Sequence, residues 1–371
     1  MNVPLVDLRA AHVEVAEEVS AGLHRIMAAT AFVGGEEVAA FEREYAAFTG
    51  VANCVGLANG TDAVEFALRA AGVGPGDEVI IPANTFVATA EAAHRAGAKI
   101  VLADVDPATY LMDVEDALAR VTPATKAIVP VHLYGQMAPL ERLKSAVGGS
   151  GVTIVEDAAQ CQGALRHGLP AGHDGIAATS FYPGKNLGAY GDAGAVVTAD
   201  PDLARKVRLL GSHGGLTRYT HEVIGFNSRL DAMQAVVLRA KLARLAGWNE
   251  ARRSAAERYH GLLAGLDVVR PVTADGNEHV WHLYVVRVPE RGVPQRRDKV
   301  LEQLNAAGVG AALHYPTPVH LTPAFAGLGY AAGDFPNAEQ VATEILSLPL
   351  YPQITPEQQE YVVSVLADAL G

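Results

Sequence analysis

Five short runs of apolar, largely β-branched residues, separated by helix-like segments, constrain this chain more than any other feature of it. Val79-Ile80-Ile81 ends at Pro82, Ile100-Val101-Leu102 runs to Asp104, Ala127-Ile128-Val129 ends at Pro130, and Thr153-Ile154-Val155 ends at Glu156-Asp157. Ala195-Val196-Val197-Thr198 follows a glycine-rich loop. Near-continuous apolar runs are what strands buried on both faces need, and helices between them provide parallel crossovers. The expected fold is therefore α/β, a mostly parallel sheet sandwiched by helices. Ligands of such sheets bind outside the carboxyl ends of the strands, so the residues that follow each run are where chemistry is sought.

The flanks are read from periodicity. Val13 to Ile26 and Glu36 to Phe48 place apolar residues at helical spacing, with the F-V-G-G turn between them. Leu230 to Leu263 is a long helical pattern in which Gly247 is a candidate interruption. The domain boundary is placed there, giving a large domain over 1–245 and a smaller α+β C-terminal domain over 246–371. Beyond it, Trp281 to Val288 reads as a strand and Lys299 to Ala306 as a helix, and Thr355-Pro356-Glu357-Gln358 is a capping box opening the last helix.

Composition removes several function classes. The formal net charge of −12 and the short, diluted R-R-D-K at Arg296 to Lys299 argue against nucleic acid as a partner. No apolar run is long enough to span a bilayer, and the start, M-N-V-P-L-V-D-L-R-A, lacks the basic head and apolar core of a secretion signal. Two cysteines, Cys54 and Cys161, make no disulfide framework and suit a reducing cytoplasm. There is no H-E-x-x-H and no paired C-x-x-C, so no metal site is expected. Pro183-Gly184-Lys185-Asn186 is not a P-loop, since Asn follows the lysine and Thr179 stands where a glycine belongs; Gly72 to Asp77 misses the last glycine of a dinucleotide fingerprint.

The chemistry centres on Ser180 to Val196, S-F-Y-P-G-K-N-L-G-A-Y-G-D-A-G-A-V. Its one lysine, Lys185, lies among glycines and small residues downstream of a strand-like run. A flat cofactor ring and a substrate can both approach such bare backbone, and a lysine held where its ammonium form is disfavoured can form a Schiff base. Lys185 is read as the amine that carries pyridoxal 5′-phosphate; the plainer alternative is a glycine-rich surface loop.

Other segments fit that reading, each beside a plainer one. In V-E-D-A-A-Q, Asp157 at a strand end can keep a pyridine nitrogen protonated, and Gln160 can bind the ring hydroxyl; helix capping is the alternative for Asp157. In N-G-T-D-A, Gly60 and Thr61 open a helix whose free N–H groups suit a phosphate, or the segment is ordinary capping. In P-A-N-T-F-V-A-T, Phe86 can stack on the ring or belong to the core. In G-F-N-S-R-L-D, Asn227 and Arg229 are phosphate or carboxylate ligands, or caps. H-Y-P-T-P-V-H-L, with His314, Tyr315 and His320, lines a substrate mouth or is a rigid turn.

Together, and in this order, these segments resemble the DegT/StrS-type sugar-nucleotide aminotransferases, a branch of the fold-type-I, aspartate-aminotransferase-like pyridoxal phosphate enzymes. The resemblance runs from F-V-G-G-E-E-V to H-Y-P-T-P-V-H-L and is most specific in S-F-Y-P-G-K-N-L-G, E-D-A-A-Q and N-G-T-D-A. It implies Lys185 as Schiff-base lysine and proton shuttle, and Asp157 as pyridinium partner. Gly60, Thr61 and Ser180 become phosphate ligands, Gln160 the ring-hydroxyl ligand and Phe86 the stacking ring. Asn227 would reach the cofactor phosphate of the neighbouring subunit of a homodimer. Related dehydratases replace the lysine by histidine or hold an iron–sulfur cluster; Lys185 and the two cysteines argue against both.

The same resemblance implies ping-pong transfer of an amino group from L-glutamate to a nucleotide-linked keto-6-deoxyhexose, with thymidine diphosphate as the expected nucleotide and C3 as the aminated carbon, for amino sugars of secondary metabolites or surface glycans. His314, Tyr315 and His320 would face the sugar or its diphosphate, and Arg229 an anion of donor or acceptor. The alternatives are C4 amination, a non-sugar pyridoxal phosphate enzyme, and a non-catalytic regulator that keeps the fold.

Overall fold

A seven-stranded sheet organises the first two hundred residues of the computed structural model, which describes residues 1–371. In spatial order its strands are Asn53–Leu57, Gly194–Thr198, Ile176–Ser180, Thr153–Asp157, Thr125–Ile128, Glu78–Pro82 and Lys99–Ala103. All run in one direction except Gly194–Thr198, which is antiparallel to both neighbours. The four parallel runs read from the sequence are strands as expected, and Ala195 to Thr198 is the reversed one. The edge strand Asn53–Leu57 was not anticipated: N-C-V-G-L is short and contains a glycine, and its pairing partner lies about 140 residues downstream.

Alternate residues of each strand feed different cores. Ile80, Ile128, Ile154, Ala177 and Val197 pack on one face with Phe41, Tyr45 and Leu245. Val79, Ile81, Val129, Val155, Ala178 and Val196 pack on the other with Phe66, Leu68 and Leu102. Both faces are dry, which is why the strands carry no polar alternation.

The long helix is Ala232–Leu262, and Gly247 does not interrupt it. The penalty for glycine in a helix is about 1 kcal/mol, too little to break an element whose flanking turns are packed along their length. Its first half, with Ala235, Leu238 and Leu245, belongs to the sheet's core. Its last turns, with Ala256 and Tyr259, belong to a third core made with Tyr284, Val300, Leu304, Val362 and Leu366. That core holds the antiparallel pair Tyr284–Arg287 and Ile345–Leu348 and the helices Arg296–Ala306 and Pro356–Leu370. The strand expected over Trp281 to Val288 is shorter, and the Thr355–Gln358 capping box forms with Pro356 in the first turn. The chain's start joins the same region, through a parallel bridge between Val3 and Val309. No helix is long and apolar enough to cross a membrane.

Candidate active site

The carboxyl ends of the strands bring the sequence motifs together. Leu57 pairs with Gly194, which pairs in turn with Ser180; Asp157 pairs with Ala178. The loops after Leu57, Pro82, Asp157 and Ser180 therefore open on one edge of the sheet.

At one end of this edge the helix Gly60–Ala70 begins beside Ser180. Asn59 is its cap, accepting from the Asp62 N–H at 2.8 Å. The Gly60 and Thr61 N–H groups, in the first turn, have no carbonyl below them to bond. Capping and anion binding are not rivals here, because Asn59 caps and the two residues after it stay open. A Cβ on Gly60 would lie 2.5 Å from the Ser180 Cβ and 2.9 Å from its Oγ, so the missing side chain is what lets the helix start meet the strand end. Gly194 performs the same service for the Asn59 carbonyl, which a Cβ would approach to 2.4 Å. Two first-turn N–H groups, a threonine and a serine hydroxyl and the positive end of a helix are what an anion such as a phosphate needs.

At the middle of the edge lies Asp157, 5% exposed. Its Oδ2 accepts from the Thr89 hydroxyl at 2.8 Å, and its Oδ1 from the Ala159 N–H at 3.1 Å. Thr89 is in turn joined to Thr85 at 2.8 Å. The capping alternative for Asp157 does not hold, since no helix starts there.

Lys185 is part-buried and forms no ion pair. Burial pulls its pKa down from 10.5 to about 8, against the attraction of Asp157, which raises it. The loop that carries it is tied to the long helix. Gln234 accepts from the Tyr190 N–H at 2.9 Å, and the buried Lys241 donates to the Gly188 carbonyl at 2.7 Å while lying over the Tyr190 ring.

Gln160 bonds the opposite wall together. Its Oε1 accepts from the Tyr134 N–H at 2.7 Å, and its Nε2 donates to the Tyr315 hydroxyl at 3.0 Å. The Tyr134 hydroxyl donates to the His314 carbonyl, and His314 Nδ1 meets the Ser347 hydroxyl at 2.8 Å. Burial, then the Lys185 charge, lower the His314 pKa to about 4, so His314 is a neutral group near the lysine. The Tyr315 ring packs 5.4 Å from that of Phe86, tilted by 38°. Phe86 itself is 51% exposed, which sets aside the core reading and leaves a ring face open at the site.

Three of the expected residues stand elsewhere. His320 does not face the site: its side chain is fully buried, with Nε2 3.0 Å from Glu339 and its ring edge on Phe335. A carboxylate nineteen residues downstream captures it. Asn227 and Arg229 are exposed, and Arg229 donates to Asn227 Oδ1 at 2.7 Å. No hydrogen bond or ion pair joins either one to the Lys185 cluster. Residues passed over in the sequence include Thr89, Tyr134 and Lys241. Thr89 follows Thr85 by one helical turn, a spacing that was readable. Tyr134 adopts φ 59°, which only the surrounding contacts hold in place.

A lysine with a lowered pKa and a buried carboxylate after neighbouring strands, beside an open helix start and an exposed aromatic ring, are the groups that a pyridoxal phosphate-dependent aminotransferase requires. The chain belongs to the DegT/DnrJ/EryC1/StrS aminotransferase family, which it matches over residues 13–367. The pleiotropic regulatory protein of Geobacillus stearothermophilus is 45% identical to it, over 99% of this chain and 98% of its own. The dTDP-3-amino-3,4,6-trideoxy-alpha-D-glucose transaminase of Streptomyces venezuelae is 42% identical, over 99% and 96%. The crystal structure of S. venezuelae DesV in complex with a ketimine intermediate superposes with a TM-score of 0.96 at 42% identity, covering all of this chain and 98% of that one.

Proposed function

We propose that this enzyme transfers an amino group from L-glutamate to C3 of a nucleotide-linked keto-6-deoxyhexose, with pyridoxal phosphate as its cofactor. The observation that carries the reading is the Lys185–Asp157 constellation within a chain 42% identical, nearly end to end, to a dTDP-sugar C3 transaminase. The residues fit the cofactor part by part. Gly60, Thr61 and Ser180 suit its phosphate, Asp157 its ring nitrogen, Gln160 its ring hydroxyl and Phe86 its flat face. When bound, that cofactor supplies an electron sink for the carbon that gives up or receives nitrogen.

The chain's own groups do the rest. Lys185 Nζ, shifted toward neutrality, would take the proton from the amine-bearing carbon of the donor and, in the second half-reaction, give a proton from the same side to the sugar carbon that receives the nitrogen. Asp157, buried and held by two hydrogen bonds, is the carboxylate that would pair with a protonated ring nitrogen. His314 and Tyr315 form the wall that the sugar meets. A regulator without catalysis is disfavoured because relatives matched over nearly the whole chain are named sugar-nucleotide transaminases and the lysine and buried carboxylate such an enzyme needs are both present.

The working unit is a homodimer in which Asn227 of one copy reaches the phosphate cradle of the other. Support comes from the exposure of Asn227 and of two apolar residues in the segment leading to it, Tyr219 at 82% and Ile224 at 94% exposed. Such surface is seldom left to water. The substrate test offers C3-keto and C4-keto sugar nucleotides with glutamate and locates the new amine by NMR. Amination at C3 is expected; amination at C4 alone would refute the position and leave the aminotransferase.

A further inference from the structure

Asn84 lies beside the site and has no assigned task. It is 1% exposed, and neither its Oδ1 nor its Nδ2 has a hydrogen-bond partner. No other buried side chain has both ends of an amide left open in this way. A buried amide without partners is costly and in folded proteins is nearly always satisfied by something.

Its position says by what. Ala83, just before it, accepts from the Val319 N–H at 2.9 Å, so Asn84 sits where the end of the strand Glu78–Pro82 meets the loop that carries His314 and Tyr315. Thr85, just after it, leads through Thr89 to Asp157. The Tyr134 hydroxyl lies near the Asn84 side chain; it gives its proton to the His314 carbonyl, so it can accept from Nδ2 but has no proton left for Oδ1. Asn84 thus stands beside Tyr134, which is itself joined to His314 and, through Gln160, to Tyr315, and its Oδ1 has no donor in the protein.

An amide presents one acceptor and a pair of donors. A carboxylate or a phosphate, which only accept, would leave Oδ1 unpaired. The cofactor's polar groups already have their partners in the reading above. A hydroxyl both donates and accepts, and the acceptor sugar brings hydroxyls into this wall.

We propose that Asn84 binds a ring hydroxyl of the sugar acceptor and is a determinant of which sugars the enzyme accepts. This rests on the sugar-nucleotide reading given under Proposed function.

The test uses cofactor-loaded enzyme, wild type and Asn84→Leu, and titration calorimetry. The probes are dTDP-3-amino-3,6-dideoxyhexose and its analogues lacking the C2 or the C4 hydroxyl. Wild type is expected to bind the full ligand about tenfold more tightly than one of the two analogues, and Asn84→Leu to lose that preference. Because leucine replaces an unpaired amide by an apolar group of similar shape, the melting temperature of the variant should be equal or higher. The inference is overturned if the variant keeps the preference, or if wild type shows none. A clear fall in melting temperature would mean that the amide has a structural partner, and a displaced cofactor absorption band that it holds the cofactor; either one overturns it too. Wild type that binds no sugar nucleotide at all would remove the substrate reading together with the inference, whereas binding without discrimination removes the inference alone.

Discussion

The Cβ that Gly60 lacks would stand 2.5 Å from the Cβ of Ser180. One helix start and one strand end thus share a space that only a glycine leaves open, and the proposed phosphate site depends on it. Gly60→Ala should push the two apart, at about 1–3 kcal/mol of overpacking. The expected result is a lower melting temperature and weaker retention of pyridoxal phosphate on dialysis. Serine at position 180 is the other half of the contact, so Ser180→Gly should relieve part of the defect of Gly60→Ala. A double variant no more stable than Gly60→Ala would show that the clash lies elsewhere.

Lys241 acts through the loop it holds. Its ammonium donates to the Gly188 carbonyl at 2.7 Å, three residues from Lys185, and comes from the long helix on the far side. Lys241→Met should loosen that loop and lower kcat about tenfold, the scale of a lost charge-assisted hydrogen bond of about 1.5–3 kcal/mol. A general loss of stability would do no more than lower the melting temperature. Positioning of Lys185 predicts in addition that the pH titration of the cofactor's visible band moves. An unmoved titration would reduce Lys241 to a packing role.

The proposed sharing of each site between two copies predicts complementation. A Lys185→Ala chain and an Asn227→Ala chain, each nearly inactive, should regain activity when mixed under conditions that exchange subunits. One of the two sites in the mixed dimer would have both residues intact. Full activity in a wild-type monomer, seen by sedimentation at assay concentration, would sink the shared site.

How far the sequence reached depended on whether a residue's role was local. The places of Lys185 among its glycines, Asp157 at the end of an apolar run and Gly60 at a helix start declare themselves, because strand ends and helix starts are written in neighbouring residues. The continuous apolar runs likewise announce a sheet buried on both faces. His320 shows the limit: two prolines suggested a rigid loop, but Glu339, on a separate helix, decides that its ring turns inward. Tyr134 could not be recognised from V-H-L-Y-G, since its left-handed backbone is held by Gln160 from another strand end. Gly247 misled in the opposite sense, because tertiary packing overrides a propensity of about 1 kcal/mol. Phe86 was read as either stacking or core, and only its exposure separates the two.

The lowered pKa of Lys185 makes a prediction about folding as well as about reactivity. In the unfolded chain its amine titrates near 10.5, and in the folded chain at about 8, because burial disfavours the charged form. Above the unfolded value neither state holds the proton, and the group contributes nothing. Between the two values the unfolded chain binds more protons, so stability rises with pH there. Below the folded value both states are charged, and the folded one carries the full cost. Lys185→Met, in the apoenzyme, should therefore be more stable than wild type at pH 7. Its advantage should shrink between about pH 8 and 10.5 and vanish above, since the other titrating groups are common to both chains. Urea melts of the two apoproteins across that range provide the check, and parallel curves would show that the amine is not desolvated. The same variant should lose turnover and any borohydride-reducible link to pyridoxal phosphate. A chain that gains stability by losing its nucleophile is what a strained functional group predicts; a merely structural lysine predicts that stability and activity fall together.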